Sequence, residues 1–192
     1  MQAHQDIRHL GRLELLTPKP ERTLWYFRDV LGMEVVHQHG QSAWLRGYGD
    51  HAASTLKLTE SAAPGIGCVS WRAASEEALA RRVAAIEAAG LGDGWDEGEF
   101  GRGRAYRFHD PDGHRMVVYF DEHKYRAPDH LRSTLKNLPQ KYTARGANVR
   151  RLDHLALLAN DVAPNRAFAQ QLLGMQLREQ VLFDEGRLEI GS

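Results

Sequence analysis

LGRLELLTPKPERTLWYFRDVLGM (residues 10–33) returns without a gap as LDHLALLANDVAPNRAFAQQLLGM (residues 152–175), an offset of 152 − 10 = 142 residues. Leu10, Leu13, Leu15, Leu16, Leu31, Gly32 and Met33 recur as Leu152, Leu155, Leu157, Leu158, Leu173, Gly174 and Met175. These positions are the apolar points of a strand and the stop of a helix, which carry structure, so the match argues for a duplicated unit rather than shared leucine richness.

Working outward from residues 10–33, Arg8–Leu16 reads as a strand. Pro20 and Glu21 suit a first helical turn, where an amide hydrogen has no partner and the dipole favours negative charge. Leu24, Phe27 and Leu31 form an apolar stripe, and Gly32 ends the helix. Three short strands follow at Glu34–His39, Ser42–Arg46 and Thr55–Thr59, completing a βαβββ unit. The pattern recurs with a strand at Gly67–Arg72 and a helix that Ser75 caps and Gly90 stops, carrying Leu79, Val83 and Ile86. Strands near Arg104–His109 and Arg115–Phe120 flank the turn Asp110-Pro111-Asp112-Gly113. Two such units predict an α+β fold whose curved sheet surrounds a cavity.

The expected organisation is therefore a paired-unit domain over residues 1–121, a polar linker over 122–148 interrupted by Pro128 and Pro139, and the start of a second domain over 149–192. Strands at Gln176–Phe183 and Arg187–Ile190 continue the third unit. By the logic of the first domain, its fourth strand and a further unit are expected beyond Ser192.

Lys+Arg and Asp+Glu both number 25, and 42% of the residues are hydrophobic. That balance describes a globular chain and gives no basic excess for nucleic acid. No apolar run has signal-peptide or membrane-spanning length, and a lone Cys68 excludes an internal disulfide, so a cytoplasmic protein is expected.

Side chains alternate across a strand. In 151–159, Leu155 and Leu157 face one way, onto the helix, as Leu13 and Leu15 do in the first copy. His154, Ala156 and Leu158 then face into the cavity, where an imidazole has the chemistry to ligate a transition metal. An isolated histidine does not make a site. His37 and His39 lie two apart on a strand and share a face, which is expected to be solvated. His109 and His114 bracket the turn at 110–113 and are expected exposed, as is the Arg81-Arg82 pair on the second helix. Residues 98–103, rich in glycine, do not fit a dinucleotide fingerprint and read as a flexible inter-strand loop.

The paired βαβββ arrangement is similar to that of the vicinal oxygen chelate superfamily. Within it, Val149-Arg150-Arg151-Leu152-Asp153-His154-Leu155-Ala156-Leu157 resembles the first iron-ligand strand of the type I extradiol dioxygenases, the catechol 2,3-dioxygenase-like enzymes. Asp110-Pro111-Asp112-Gly113-His114-Arg115 resembles the turn before a module's last strand, and the two Leu-Gly-Met segments match as helix stops. The resemblance implies Fe(II), with Mn(II) as an alternative, held by two histidines and a glutamate in the carboxy-terminal pair of modules. Catechol and O₂ would take the open positions and the ring would open beside the diol. His154 is then the first metal ligand, and Ala156 and Leu158 belong to the substrate cavity wall. The other ligands and the acid–base residues are expected beyond Ser192, so that the 192-residue chain alone is expected to be inactive. Homo-oligomers are implied, with Tyr125, Arg126 and Pro128 in packing and oligomer contacts.

In the first pair, the ligand positions fall on Arg12, Cys68 and Val117. An arginine has no lone pair to give a metal, so this domain is expected to be metal-free. An alternative is a metal-free module of the bleomycin-resistance type, binding an aromatic or drug-like molecule, with Trp25, Trp44, Trp71 and Trp95 as aromatic walls. Glyoxalase-like isomerase chemistry would need His, Gln or Glu where Arg12, Cys68 and Val117 stand.

Overall fold

The computed structural model describes residues 5–183 and 188–191. The first unit comprises strand β1 (Ile7–Thr17), helix α1 (Pro20–Trp25) running into a π-helical turn at Tyr26–Val30, then β2 (Glu34–His39), β3 (Ser42–Arg46) and β4 (Leu56–Glu60). The second comprises β5 (Gly65–Ala73), α2 (Glu76–Ala88), β6 (Gly92–Asp96), β7 (Ala105–His109) and β8 (Arg115–Tyr119). Eight strands form one sheet in the order β2-β3-β4-β1-β5-β8-β7-β6. Each unit pairs its first strand parallel to its last, β1 with β4 and β5 with β8, and the units join through the antiparallel β1–β5 pair. The expected α+β architecture of two βαβββ units is the one observed.

Local chemistry accounts for most of these elements. Pro20 stands at the start of α1, and Ser75 caps α2 by accepting from the Ala78 amide, which satisfies a donor that has no partner inside the helix. Gly32 adopts φ +78°, and a β-carbon there would overlap the Arg145 carbonyl oxygen. Strand β6 was not expected: Gly92, Asp93, Gly94 and Asp96 are poor strand formers. It forms as the outer strand on β7, with Trp95 edge-on to Tyr106 at 5.2 Å.

Apolar side chains gather on the helix-bearing side of the sheet. One cluster joins β1, β5, β7 and β8 to α2 through Ile7, Val69, Phe108, Val118, Val83 and Ile86. A second joins Leu45, Leu56 and Leu58 to Leu24 and Phe27. The opposite, concave face carries a small apolar group of Ala105, Val117, Tyr119 and Cys68 beside a network of charges.

The third unit reproduces the first only in part. Helix α3 (Val162–Gln171) occupies the expected place, with Asp161 as its N-cap. The helix stops share one closing bond, the Met33 amide donating to the Phe27 carbonyl at 2.9 Å and the Met175 amide to the Ala169 carbonyl at 3.0 Å, while the π-type Leu31–Tyr26 bond of the first copy is replaced by Leu172–Phe168 in the third. Gly174 has φ +69° beside the +78° of Gly32. Residues 151–159, expected as a strand, form no regular secondary structure and are unpaired. β1 is laddered on both sides, whereas this segment has no such partners among the described residues. Strands β9 (Gln180–Phe183) and β10 (Leu188–Gly191) form a separate antiparallel pair, where strands were expected at 176–183 and 187–190; Arg187 lies outside the described residues.

Residues 122–148 contain one short 3₁₀ turn at Asp129–Leu131 and fold back over the first unit. Arg46, fully buried, holds them there. Its guanidinium donates to Glu34 at 3.0 Å, to Gln140 at 2.9 Å and to the Tyr48 and Asp50 carbonyls, and lies 3.4 Å over the Tyr125 ring. Removing the guanidinium takes a donor from two buried acceptors, the Gln140 amide oxygen and the Asp50 carbonyl, at a cost of about 1–3 kcal/mol, while the part-exposed Glu34 carboxylate can turn to water. Arg46→Ala is therefore expected to lower the unfolding free energy by that amount in urea titrations; a loss under about 1 kcal/mol, the range of exposed pairs, would contradict the role assigned to it.

Candidate functional site

The concave face of the first pair is filled by its own side chains. Arg12 projects into it from β1 and is almost wholly buried. Its guanidinium donates to the Phe100 carbonyl at 2.7 Å and pairs with Glu99 at 3.1 Å. Lys57 bridges Glu99 at 2.9 Å and Glu14 at 3.1 Å, and Glu14 accepts from the Thr59 hydroxyl. Arg102 pairs with Asp96 at 3.0 Å and reaches Glu99. Three cations meet three carboxylates. Burial lowers the Arg12 pKa against the opposing pull of Glu99, whereas Lys57 and Arg12 hold Glu99 below the ordinary range despite its burial.

The loop that delivers Glu99 and Phe100 was expected to be flexible. Instead Glu99 and Arg102 exchange backbone hydrogen bonds of 3.0 Å, and the Gly101 carbonyl accepts from His123. The charge of Arg12 accounts for the difference, because a buried guanidinium requires partners.

The other expected ligand positions lie on the same face. Across β1–β5–β8, Arg12 is opposite Ser70 and Ser70 is opposite Val117. Cys68 stands two pairs further along, opposite Glu14, so Ser70 rather than Cys68 completes the row. Burial and the nearby Glu14 carboxylate push the Cys68 thiol up to about 11, so it is neutral near pH 7 and a poor ligand or nucleophile.

At the end of β8, Glu122 gathers a second ionic group. Lys124 donates to its carboxylate, Arg72 lies at 3.7 Å, His9 at 3.9 Å, and the Tyr119 hydroxyl donates at 3.2 Å. Burial alone would raise the Glu122 pKa. The bond from Lys124, the nearby His9 imidazole and the charges of Lys124 and Arg72 outweigh it and hold the carboxyl at about 2.

In the third unit, Leu155 and Leu157 are half-buried against the main cluster, which also takes Phe168 of α3 and Leu152. His154, Ala156 and Leu158 are exposed on the other side, with the His154 side chain 88% accessible. From His154 to Leu158 the alternation inferred from the sequence is therefore kept although no ladder enforces it, but it does not extend back to Leu152, which packs on the same cluster, or to Asp153, which is exposed. His154 Nδ1 lies 3.5 Å from the Asp153 carboxylate, an arrangement that leaves Nε2 directed away from that carboxylate. Among the described residues, no group of three or more His, Cys, Asp or Glu side chains is placed to hold a metal.

The remaining candidates fall elsewhere. His37 is not simply solvated: its ring stacks on Phe100 at 4.4 Å and lies 5.2 Å from Trp44, while His39 is exposed. The Nδ1 atoms of His114 and His109 contact the carboxylates of Asp110 at 2.7 Å and Asp93 at 2.6 Å. Arg81 and Arg82, expected on a solvated face, both grip the buried carboxylate of Asp6 at 2.6 and 3.0 Å. Tyr125 packs on Arg46, while Arg126 and Pro128 are exposed. The four tryptophans do not share a wall. Trp25 is exposed on α1, Trp44 lies 5.1 Å under Lys57, Trp71 donates to Met116 and Trp95 packs on Tyr106.

The Glu122 group gives a pH signature. A carboxyl whose folded pKa is depressed stabilises the protein above its ordinary value, and that contribution is lost as pH falls through the folded one. Between about pH 4.5 and about 2, wild type is expected to lose stability that Glu122→Gln never had, so the two acid-titrated melting curves should converge. Parallel curves over that window would contradict the assignment.

Comparison with known proteins agrees with this geometry. Residues 9–118 match the model of the Glyoxalase/Bleomycin resistance protein/Dioxygenase superfamily. The chain is 44% identical over 187 residues to a metapyrocatechase of Geobacillus stearothermophilus, covering 97% of this chain and 57% of that protein. It is 30% identical over 183 residues to a manganese-dependent 2,3-dihydroxybiphenyl 1,2-dioxygenase of Geobacillus genomosp. 3, covering 94% and 58%. The crystal structure of a 2,3-dioxygenase from Pseudomonas sp. KL28 superposes with a TM-score of 0.81 at 22% identity, over 93% of this chain and 62% of that one. The chain thus spans less than two thirds of each. Two joined βαβββ units, a first strand parallel to a last in each, and a family match across both place the chain in the Glyoxalase/Bleomycin resistance protein/Dioxygenase superfamily.

Proposed function

We propose that this chain is the amino-terminal part of an extradiol dioxygenase that, when intact, opens a catechol-type ring beside the diol with Fe(II) and O₂. The observation that carries the proposal is the exchange of Arg12 for His154 at equivalent positions of the 142-residue repeat. In the first copy the position is a buried cation tied to Glu99; in the third it is an exposed imidazole on an open face. Names of the relatives that contain metapyrocatechase and 1,2-dioxygenase support the reading, and the manganese-dependent relative keeps Mn(II) as an alternative metal.

The donor chemistry fits one coordination position. A neutral imidazole beside a carboxylate is a good ligand for a divalent transition metal, because the carboxylate orients the ring. The metal's contribution would be to bind the diol and O₂ side by side. His154 would hold one corner of it, and Ala156 and Leu158 would give the adjoining cavity wall an uncharged surface suited to an aromatic ring. The further ligands and the acid–base residues belong, on this proposal, to the part of the relatives that the chain does not cover. The first pair, residues 1–121, is a metal-free platform, since Arg12, Ser70 and Val117 offer no ligand row. No helix of the described residues is long and apolar enough to cross a membrane. A cytoplasmic location and homo-oligomeric assembly are part of the same proposal.

The test is a fusion of this chain to the carboxy-terminal remainder of the Geobacillus stearothermophilus relative. With Fe(II), the fusion is expected to convert catechol and O₂ to a yellow ring-cleavage product, and His154→Ala to abolish this. The 192-residue chain alone should yield none. Turnover by the chain alone, or a fusion indifferent to His154→Ala, would contradict the proposal.

A further inference from the structure

The Asp110–Gly113 turn is stabilised by one of its two aspartates and leaves the other free. Asp110 is buried, and its carboxylate accepts from the Asp112 amide at 3.0 Å, from the His114 amide at 2.8 Å, and contacts the His114 ring at 2.7 Å. The Gly113 amide closes the turn on the Asp110 carbonyl. Nothing within the turn uses the Asp112 side chain as an acceptor.

That side chain is spent on the third unit. The Asp112 carboxylate accepts from the Asn160 amide at 3.2 and 3.3 Å, from the Asn160 side chain at 2.6 Å and from the Asn165 side chain at 2.6 Å. These donors flank the N-terminus of α3, where Asp161 caps the Ala163 amide at 3.0 Å. A carboxylate there is favoured by the helix dipole and accepts charge-assisted bonds, which are roughly twice as strong as neutral ones. The other end of the segment is tied to the first unit. The Val149 amide donates to the Leu31 carbonyl at 3.0 Å, and the Gly49 amide donates to the Arg150 carbonyl at 2.8 Å. His154 thus lies on a span anchored at Arg150 and at Asn160, with Leu155 and Leu157 packed beneath it.

We propose that Asp112 is a positioning residue: its carboxylate clamps Asn160 and Asn165 so that the segment bearing His154 is held with its imidazole face open. What His154 ligates rests on the function proposed above; the clamp does not. The segment lacks a sheet ladder, so the clamp and the leucines take over the orienting task that β4 and β5 perform for β1.

The experiment is amide hydrogen exchange on the 192-residue chain, with the His154 ring proton followed by NMR. In Asp112→Asn, amides of 160–172 should lose roughly ten- to a hundredfold of their protection, the equivalent of one or two charge-assisted bonds. Amides of α2 should keep theirs, and the His154 resonance should shift. Asn160→Ala, outside the turn, should produce part of the same effect, which keeps the test decisive if the turn variant fails to fold. The reciprocal swap Asp112→Asn with Asn165→Asp should restore protection, because the bond re-forms with donor and acceptor exchanged. Unchanged exchange and an unshifted His154 resonance would overturn the proposal. So would a loss spread equally over α2, or a swap that restores nothing. Because the readout needs no metal, an inactive fusion protein beside a positive exchange result would remove the dioxygenase reading and leave the clamp standing.

Discussion

The pleat of an extended chain constrains everything else in this molecule. Successive side chains must point to opposite faces, so once two leucines of a segment pack against helices, the residue before the first and the residue between them face away. In β1 this sends Arg12 and Glu14 into the concave cup. In the third unit it sends His154 and Ala156 to the open side. The same rule applied to the same apolar pair produces a sealed interior in one copy and an accessible imidazole in the other.

The two outcomes differ in electrostatic consequence. A guanidinium placed inside a sheet cannot be left without partners, and the fold answers it with Glu99 on a tied loop, Lys57 on β4 and Glu14 beside it. Arg102 and Asp96 extend the balance. A cup occupied in this way has no room for the chemistry its row of positions could otherwise host. An imidazole carries no such obligation when neutral, so its face can remain exposed while the leucines behind it supply the packing. Partial burial of those leucines, at roughly 25 cal/mol per Å² of apolar surface, adds to the anchors at Arg150 and Asn160 in holding the segment without a ladder.

Much of this was legible in the chain of letters because the repeat marks positions rather than composition. Leu31-Gly32-Met33 and Leu173-Gly174-Met175 identified two helix stops that close with equivalent hydrogen bonds. Ser75 and Pro20 marked helix starts. What escaped were features set by partners distant in sequence. In Gly92–Asp96 only Trp95 favours a strand; pairing with β7 imposes it. Arg81 and Arg82 looked like a solvated pair because Asp6 lies 75 residues from Arg81. The partners of Arg12 could have been anticipated as a necessity, since a buried cation needs them, but not as Glu99 and Phe100. Asp112 gave no signal at all, being an ordinary turn residue until its contacts with Asn160 and Asn165 are seen.

The outward imidazole over inward leucines is most directly measured by NMR with a soluble paramagnetic agent in the solvent. Strong attenuation of the His154 ring signals is expected together with protected methyls on Leu155 and Leu157. Protected ring signals beside attenuated leucine methyls would place the segment the other way round and remove the basis for a metal ligand at this position.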